Sequence, residues 1–182
     1  NSTGIFISLS GAVWDRGLKE QDTYGTSDEV FGPCGGAAVY TREVFFQAGR
    51  FDEDFFIFME DADLAFRTHL LGWKCRYIPE ASVIHHHGGT VGVGSDFSVY
   101  YGNRNIIWFP LKNFPFRILF FSLPLIIIRA LVTVFYYSCS GRGKLVLCAK
   151  WDAVKGIPSL LRKRKGIHQN KKTDFGIKYN LK

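Results

Sequence analysis

The sequence has little of what would classify it at sight. It holds one methionine, Met59, and its four cysteines, Cys34, Cys75, Cys139 and Cys148, show no C-x-x-C spacing. That spacing excludes a zinc ribbon and implies no disulfide framework, so free thiols in a reducing compartment are expected. Glycine is plentiful, yet neither G-x-G-x-x-G nor a Gly-Lys-Ser/Thr phosphate loop occurs, and glycine alone assigns no nucleotide site. The opening NSTGIFIS has no initiator and lacks the basic-then-apolar layout of a signal peptide. The chain is therefore expected to be a fragment that begins inside a domain. Acids are nearly missing from the second half. Residues 111–182 carry 2 acids and 15 Lys or Arg, net +13, whereas residues 1–110 carry 14 acids and 8 Lys or Arg, net −6. This asymmetry points to an acidic site in the first half and an anionic surface as partner for the second. No DNA- or RNA-binding signature accompanies the basic residues, so nucleic acid is not the expected partner.

What is present concentrates in residues 51–89. Six acids, Asp52, Glu53, Asp54, Glu60, Asp61 and Asp63, fall within twelve positions, and His85, His86 and His87 close the stretch. Between them, 61–71 reads as a helix, with Ala62, Phe66 and Leu70 at i, i+4 and i+8 and Gly72 as its stop. Acids in its first turn suit the positive end of the helix dipole, and Asp63 can pair with Arg67 one turn on. Residues 75–78 and then 81–87 read as strand, separated by Pro79, with His85 and His87 on one face. Carboxylates at a helix start beside imidazoles at a strand end suit a catalytic or metal site. The plainer reading, helix caps and a surface turn, stands beside it. Six carboxylates this dense repel one another unless a cation or substrate relieves them.

Around this centre, 4–9 reads as a strand and 11–29 as a long loop carrying Trp14 and Tyr24, which either stack on a sugar or anchor their own loop. Gly35-Gly36 allows a left-handed turn or close approach to a ligand. Thr41 caps a short helix over 42–48. Residues 88–95 are a linker by composition, and 100–109 begins a new element whose one cation, Arg104, faces a phosphate or an acid. The run 114–137 is apolar but holds Arg117, Arg129, Pro115 and Pro124. It is expected to lie in a membrane interface as a helix or broken hairpin, its arginines reaching headgroups; a buried helix pair and a full span are the rivals. A second amphipathic stretch, 150–161, is followed by Arg162 to Lys165 and Lys171-Lys172, which read as attraction to anionic lipid.

The segments WDRG (14–17), FGPCGGAAVYTR (31–42), GRFDEDFFIFMEDADLAFR (49–67), GWKCRYIPEASVIHHHGGT (72–90) and Arg104-Asn105 together resemble the C-terminal part of a family-2 glycosyltransferase. The likeness is greatest to the bacterial rhamnosyltransferase-like branch that builds cell-surface polysaccharide. It implies an α/β fold: the C-terminal half of a GT-A (nucleotide-diphospho-sugar transferase) domain over 1–110, interfacial helices over 111–165, and a basic, disordered tail over 166–182. It also implies inverting transfer from a nucleotide-diphospho-sugar donor to a glycan or lipid-linked acceptor at the cytoplasmic face of the cell membrane. By this likeness Asp61 is the general base, Glu60 its neighbour in orienting the acceptor, and His85 a ligand of Mg²⁺ or Mn²⁺. Gly35, Gly36, Asp63, Trp14 and Arg104 complete the expected substrate contacts. The family's early Asp-x-Asp has no counterpart here, since both matching spellings, at 52–54 and 61–63, belong to later motifs. The fragment alone is thus expected to be inactive. Two other readings remain: a degenerate glycosyltransferase-like membrane scaffold, and a metal-dependent hydrolase built on the histidine triplet.

Overall fold

The computed structural model describes residues 2–18, 25–86 and 88–173. Tyr24, His87 and the last nine positions of the expected tail lie outside the described residues.

Strand β1 (Ile5–Ile7) pairs antiparallel with β2 (Val13–Asp15), and β3 (Glu29–Val30) with β4 (Cys75–Arg76). The strand at 4–9 is present. Part of the expected loop 11–29 is strand instead; so short a strand cannot display an alternating pattern, and β2 is fixed by pairing with β1. The second expected strand, 81–87, does not form over its described residues. The chain turns at Pro79, with Ala81 N–H donating to the Ile78 carbonyl. Beyond that turn Val83 and Ile84 are 62% and 90% exposed, and among the described residues 81–86 has no ladder partner to make its alternation count. Among the described residues the sheets are these two antiparallel pairs; the mostly parallel sheet expected for GT-A is not among them.

Helix α1 (Arg42–Gln47) starts at Thr41, whose hydroxyl accepts from Val44 N–H at 3.3 Å. A 3-10 turn (Glu53–Phe55) follows, and then helix α2 (Glu60–Leu70), within one residue of expectation at each end. Ala62 through Leu70 are all buried, the polar positions as well as the apolar stripe. Such a rod must satisfy its polar groups internally. The Arg67 guanidinium forks onto Asp63 at 2.7 and 2.9 Å, the pairing read from the sequence, and also reaches the carbonyls of Ala48 and Arg50. Lys112, itself 2% exposed, bridges Asp63 and Asp52 at 2.7 and 2.5 Å.

Helix α3 (Asp96–Asn113) is capped by Ser95 and packs Trp108, Phe109 and the following Phe114 against Phe55 and Phe66. It crosses the boundary expected at 110. Helix α4 (Phe116–Cys139) is one continuous helix and not a hairpin: Pro124 removes a single backbone bond without ending it. At about 1.5 Å per residue it is about 36 Å long, and by length and composition it can cross a membrane. Ser122 and Ile126 are buried and Arg129 is half-buried, a stripe at i, i+4, i+7, while Phe116, Phe120, Phe121, Leu131 and Phe135 are exposed. Arg129 does not reach outward as expected; it donates to the Ile106 carbonyl of α3 at 3.1 Å.

Helix α5 (Gly143–Gln169) returns alongside α4 and against α3. Trp108 Nε1 donates to the Ala153 carbonyl at 2.9 Å, and a Cβ on Gly156 would lie 2.3 Å from the indole, so only glycine admits this approach. The helix continues past 165, where a disordered tail was expected. The following turn is held too: the backbone amides of Lys172 and Thr173 both donate to the Leu70 carbonyl, satisfying the C-terminus of α2.

Candidate active site

The site is built on the loop that leads into α2. Phe56, Phe58 and Met59 have φ of 63°, 64° and 70°, the left-handed region that bulky side chains avoid. Three such residues so close together store strain that the surroundings must hold. Asn105, fully buried, holds it: its amide nitrogen lies 2.7–2.9 Å from the carbonyls of Phe55, Ile57 and Phe58. Arg104 braces the same loop, donating to the carbonyls of Asp54 and Phe55 while its guanidinium lies over Tyr101 and Trp108. Nε and Nη2 of Arg104 are thus engaged within the protein, by Asn105 Oδ1 and by these two carbonyls.

The loop delivers Glu60 and Asp61 to the N-terminus of α2, where no side chain caps the helix. Asp61 Oδ2 accepts from Gly35 N–H at 2.9 Å and Oδ1 from Ala62 N–H at 2.7 Å. Next along the turn, a Cβ on Gly36 would lie 2.9 Å from His85 Nδ1. Asp61 and His85 thus flank the two ends of the Gly35-Gly36 pair, although a helix and a strand lie between them in sequence. Neither glycine has positive φ; Gly36 is needed for close approach to His85, not for a left-handed turn, and Gly35 leaves ordinary contact distance to Asp61.

Burial raises the pKa of both acids here. Burial pushes the Glu60 carboxyl up to about 7, with the charges of Asp61 and Asp63 adding to it. Burial raises Asp61 too, against the lowering by the Gly35 and Ala62 amides, and the Asp15 charge adds to the rise. Desolvation therefore outweighs the helix terminus. Burial likewise lifts the Cys34 thiol to about 11 and raises the Tyr40 phenol, which feels the charges of Asp61 and Glu60. Glu60 Oε2 and Tyr40 Oη are both enclosed with no hydrogen-bond partner among the described residues. Two neighbouring buried polar atoms left open are what a polar ligand would complete.

The other expected contacts lie apart from this cluster. Asp63 is fully buried and both its oxygens are engaged, by Arg67, Lys112 and Asn113; it fixes α2 against α3. Trp14 is 38% exposed on β2 and leans on Phe6, ring centroids 5.9 Å apart. Asp15, Tyr40 and Asn105 were not singled out by the sequence reading. All three sit inside a quoted segment, but their roles depend on partners remote in sequence, which no local pattern records. Among the described residues no three His, Cys, Asp or Glu side chains converge as a ligand set for a cation. His85 supplies a single imidazole. The hydrolase reading, which required the histidines and acids to bind metal together, has no such set among the described residues.

No protein-family model matches the chain and no solved structure matches it. Two curated proteins of Mycobacterium tuberculosis, from strains CDC 1551 / Oshkosh and ATCC 25618 / H37Rv, are each 41% identical over 94 residues. Both are named N-acetylglucosaminyl-diphospho-decaprenol L-rhamnosyltransferase. The match covers 49% of this chain, and the chain spans 31% of the length of these relatives. The likeness is thus to part of a rhamnosyltransferase, the kind of glycosyltransferase that the acidic block and the His85 segment together resemble.

Proposed function

We propose that the chain is the catalytic, acceptor-side part of a membrane-associated, inverting glycosyltransferase of family 2, acting in cell-surface polysaccharide synthesis. The observation that carries this reading is the convergence of Asp61 and His85 on the Gly35-Gly36 pair, with Glu60 and Tyr40 left open nearby. The strained, braced loop ahead of α2 supports it. The donor is a nucleotide-diphospho-sugar. The acceptor is a hydroxyl on a lipid-linked glycan, the kind of acceptor that the relatives' name gives for them.

Asp61 is the base. The acceptor O–H bond breaks towards its carboxylate as the oxygen attacks the anomeric carbon. The bond from that carbon to the diphosphate oxygen breaks with its electron pair, and configuration inverts. Burial makes Asp61 a stronger base than a solvated aspartate, and positioned proton transfer of this kind contributes about 10²–10⁴-fold. Glu60 and Tyr40, with open polar atoms, hold the acceptor hydroxyls. The likeness implies Mg²⁺ or Mn²⁺ with His85 as one ligand, which would supply Lewis-acid stabilisation of the leaving group.

Helix α4 lies in the membrane interface at the cytoplasmic face. Its inner stripe is taken by α3 and α5, and α5, which runs alongside, bears Lys150, Asp152 and Lys155. A spanning α4 would draw these charges into hydrocarbon at about 2.5–3.5 kcal/mol each. The test of the catalytic reading is Asp61→Asn in the full-length protein. Transfer should be lost while donor affinity, measured by calorimetry, is unchanged; retained turnover would discard the base.

A further inference from the structure

Where α4 begins, a groove of about 410 Å³ opens between Pro115 and Phe116 on one side and Leu161, Arg164, Lys165, His168 and Lys171 on the other. Its chemistry is mixed in a particular order. One wall is apolar, with Phe116 77% and Leu161 49% exposed. The other carries cations from successive turns of α5 and the segment after it. The Arg164 guanidinium is anchored across the end of α3, donating to the Leu111 carbonyl at 2.9 Å. His168 Nε2 is enclosed and has no hydrogen-bond partner among the described residues. The N-terminus of α4 opens at the same place with no side-chain cap and no acid in its first turn, and Arg117 lies exposed there. An uncapped helix start offers its amides and positive dipole end to an anion.

We infer that this groove is a discrete binding site for the phosphate headgroup of a membrane lipid, whose acyl chains run along the exposed face of α4. Three features select that occupant. The cations require an anion. The open Nε2 of His168 on the same wall is a polar atom that a purely apolar occupant would leave unmet. The exposed phenylalanines of α4 begin at its rim and continue away from it, so a soluble anion would leave the apolar wall and this face in water. The segment that follows α5 docks on the C-terminal end of α2, whereas Asp61 stands in the first turn of that helix. The length of α2 therefore separates the groove from the reacting groups. The site holds the enzyme in register with the bilayer and leaves the acceptor's own place free. The inference rests on the reading that α4 lies in lipid.

The test is co-sedimentation of the chain with three kinds of vesicle: phosphatidylcholine alone, phosphatidylcholine with phosphatidic acid, and phosphatidylcholine with oleate at matched surface potential. A built phosphate site predicts stronger partition to the phosphatidic-acid vesicles than to the oleate ones. The double variant Lys165→Gln, His168→Gln should remove that excess. Lys144→Gln, a charge at the far end of α5, should lower binding to both anionic vesicles alike by about fivefold and leave the excess in place. Equal partition at equal surface potential would reduce the groove to diffuse electrostatics and overturn the proposal, as would a double variant indistinguishable from Lys144→Gln. Saturable micromolar binding of inorganic phosphate without vesicles would assign the groove to a soluble anion and overturn the lipid assignment. Failure to sediment with any of the three vesicles would instead refute the membrane placement of α4 on which the inference stands.

Discussion

Replacing Asn105 by alanine separates the loop that presents the acids from the fold that supports it. The Asn105 amide faces the carbonyls of Phe55, Ile57 and Phe58 and can donate two hydrogens, so truncation orphans two carbonyls at a time. At about 1–3 kcal/mol for each buried unsatisfied group, the loss is about 2–6 kcal/mol. Part returns if the loop relaxes, since each left-handed residue it contains costs about 1–2 kcal/mol. Phe55, fully buried in the core, and the Arg104 contacts limit that relaxation. A net destabilisation of about 2–4 kcal/mol is therefore expected from urea unfolding, a large fraction of a typical domain's stability of about 5–15 kcal/mol. Transfer by the full-length protein should fall further than stability does, because Glu60 and Asp61 follow the relaxed loop. Asn105→Asp should be worse in both respects, placing an acceptor against three acceptors. An alanine variant within about 0.5 kcal/mol of the parent, the usual range for an uninvolved surface site, and fully active would refute the claim that this amide holds the loop.

Three further outcomes follow from the same contacts. Asp63→Asn leaves Lys112 and Arg67 facing one carboxylate fewer in a dry interior and should cost about 3–5 kcal/mol in denaturant unfolding; a neutral result would mean that water reaches the network. Gly36→Ala brings a methyl to 2.9 Å from the His85 ring, whereas at Gly35 the nearest atom of Asp61 is 3.5 Å away. The first substitution should displace His85 and lower transfer with little loss of stability, the second should be tolerated, and equal effects would argue against the close approach. Glu60, raised to about 7 by burial, binds its proton more tightly folded than unfolded. Its contribution to stability is full below the unfolded carboxylate range and is lost as pH rises through about 7. Thermal unfolding of Glu60→Gln should therefore lack that part of the decline on the approach to neutral pH, and an unchanged pH profile would place Glu60 in solvent.

Much of the local order was legible from sequence because it is set by neighbours. Thr41 before an apolar run, acids ahead of 62–70, Gly72 at the end, and the Asp63–Arg67 spacing fixed α1 and α2 to within a residue. The split in charge and the length of the apolar run at 114–137 were also plain. What the tertiary structure decided was which partner each polar group meets. The stretch 81–86 alternates as a strand should, yet pairs with no strand among the described residues and stays coil. Arg129 reads as a headgroup ligand and turns inward to the Ile106 carbonyl; Arg104 reads as facing a phosphate or an acid, and its Nη2 meets loop carbonyls far upstream. Asp63 is spelled like its neighbour Asp61, but one turns into the dry interface with α3 and the other towards Gly35. The physical reason is common to these cases. A side chain's type sets what it needs, whereas burial and a partner distant in sequence set what it receives, and period and spacing carry no record of that partner.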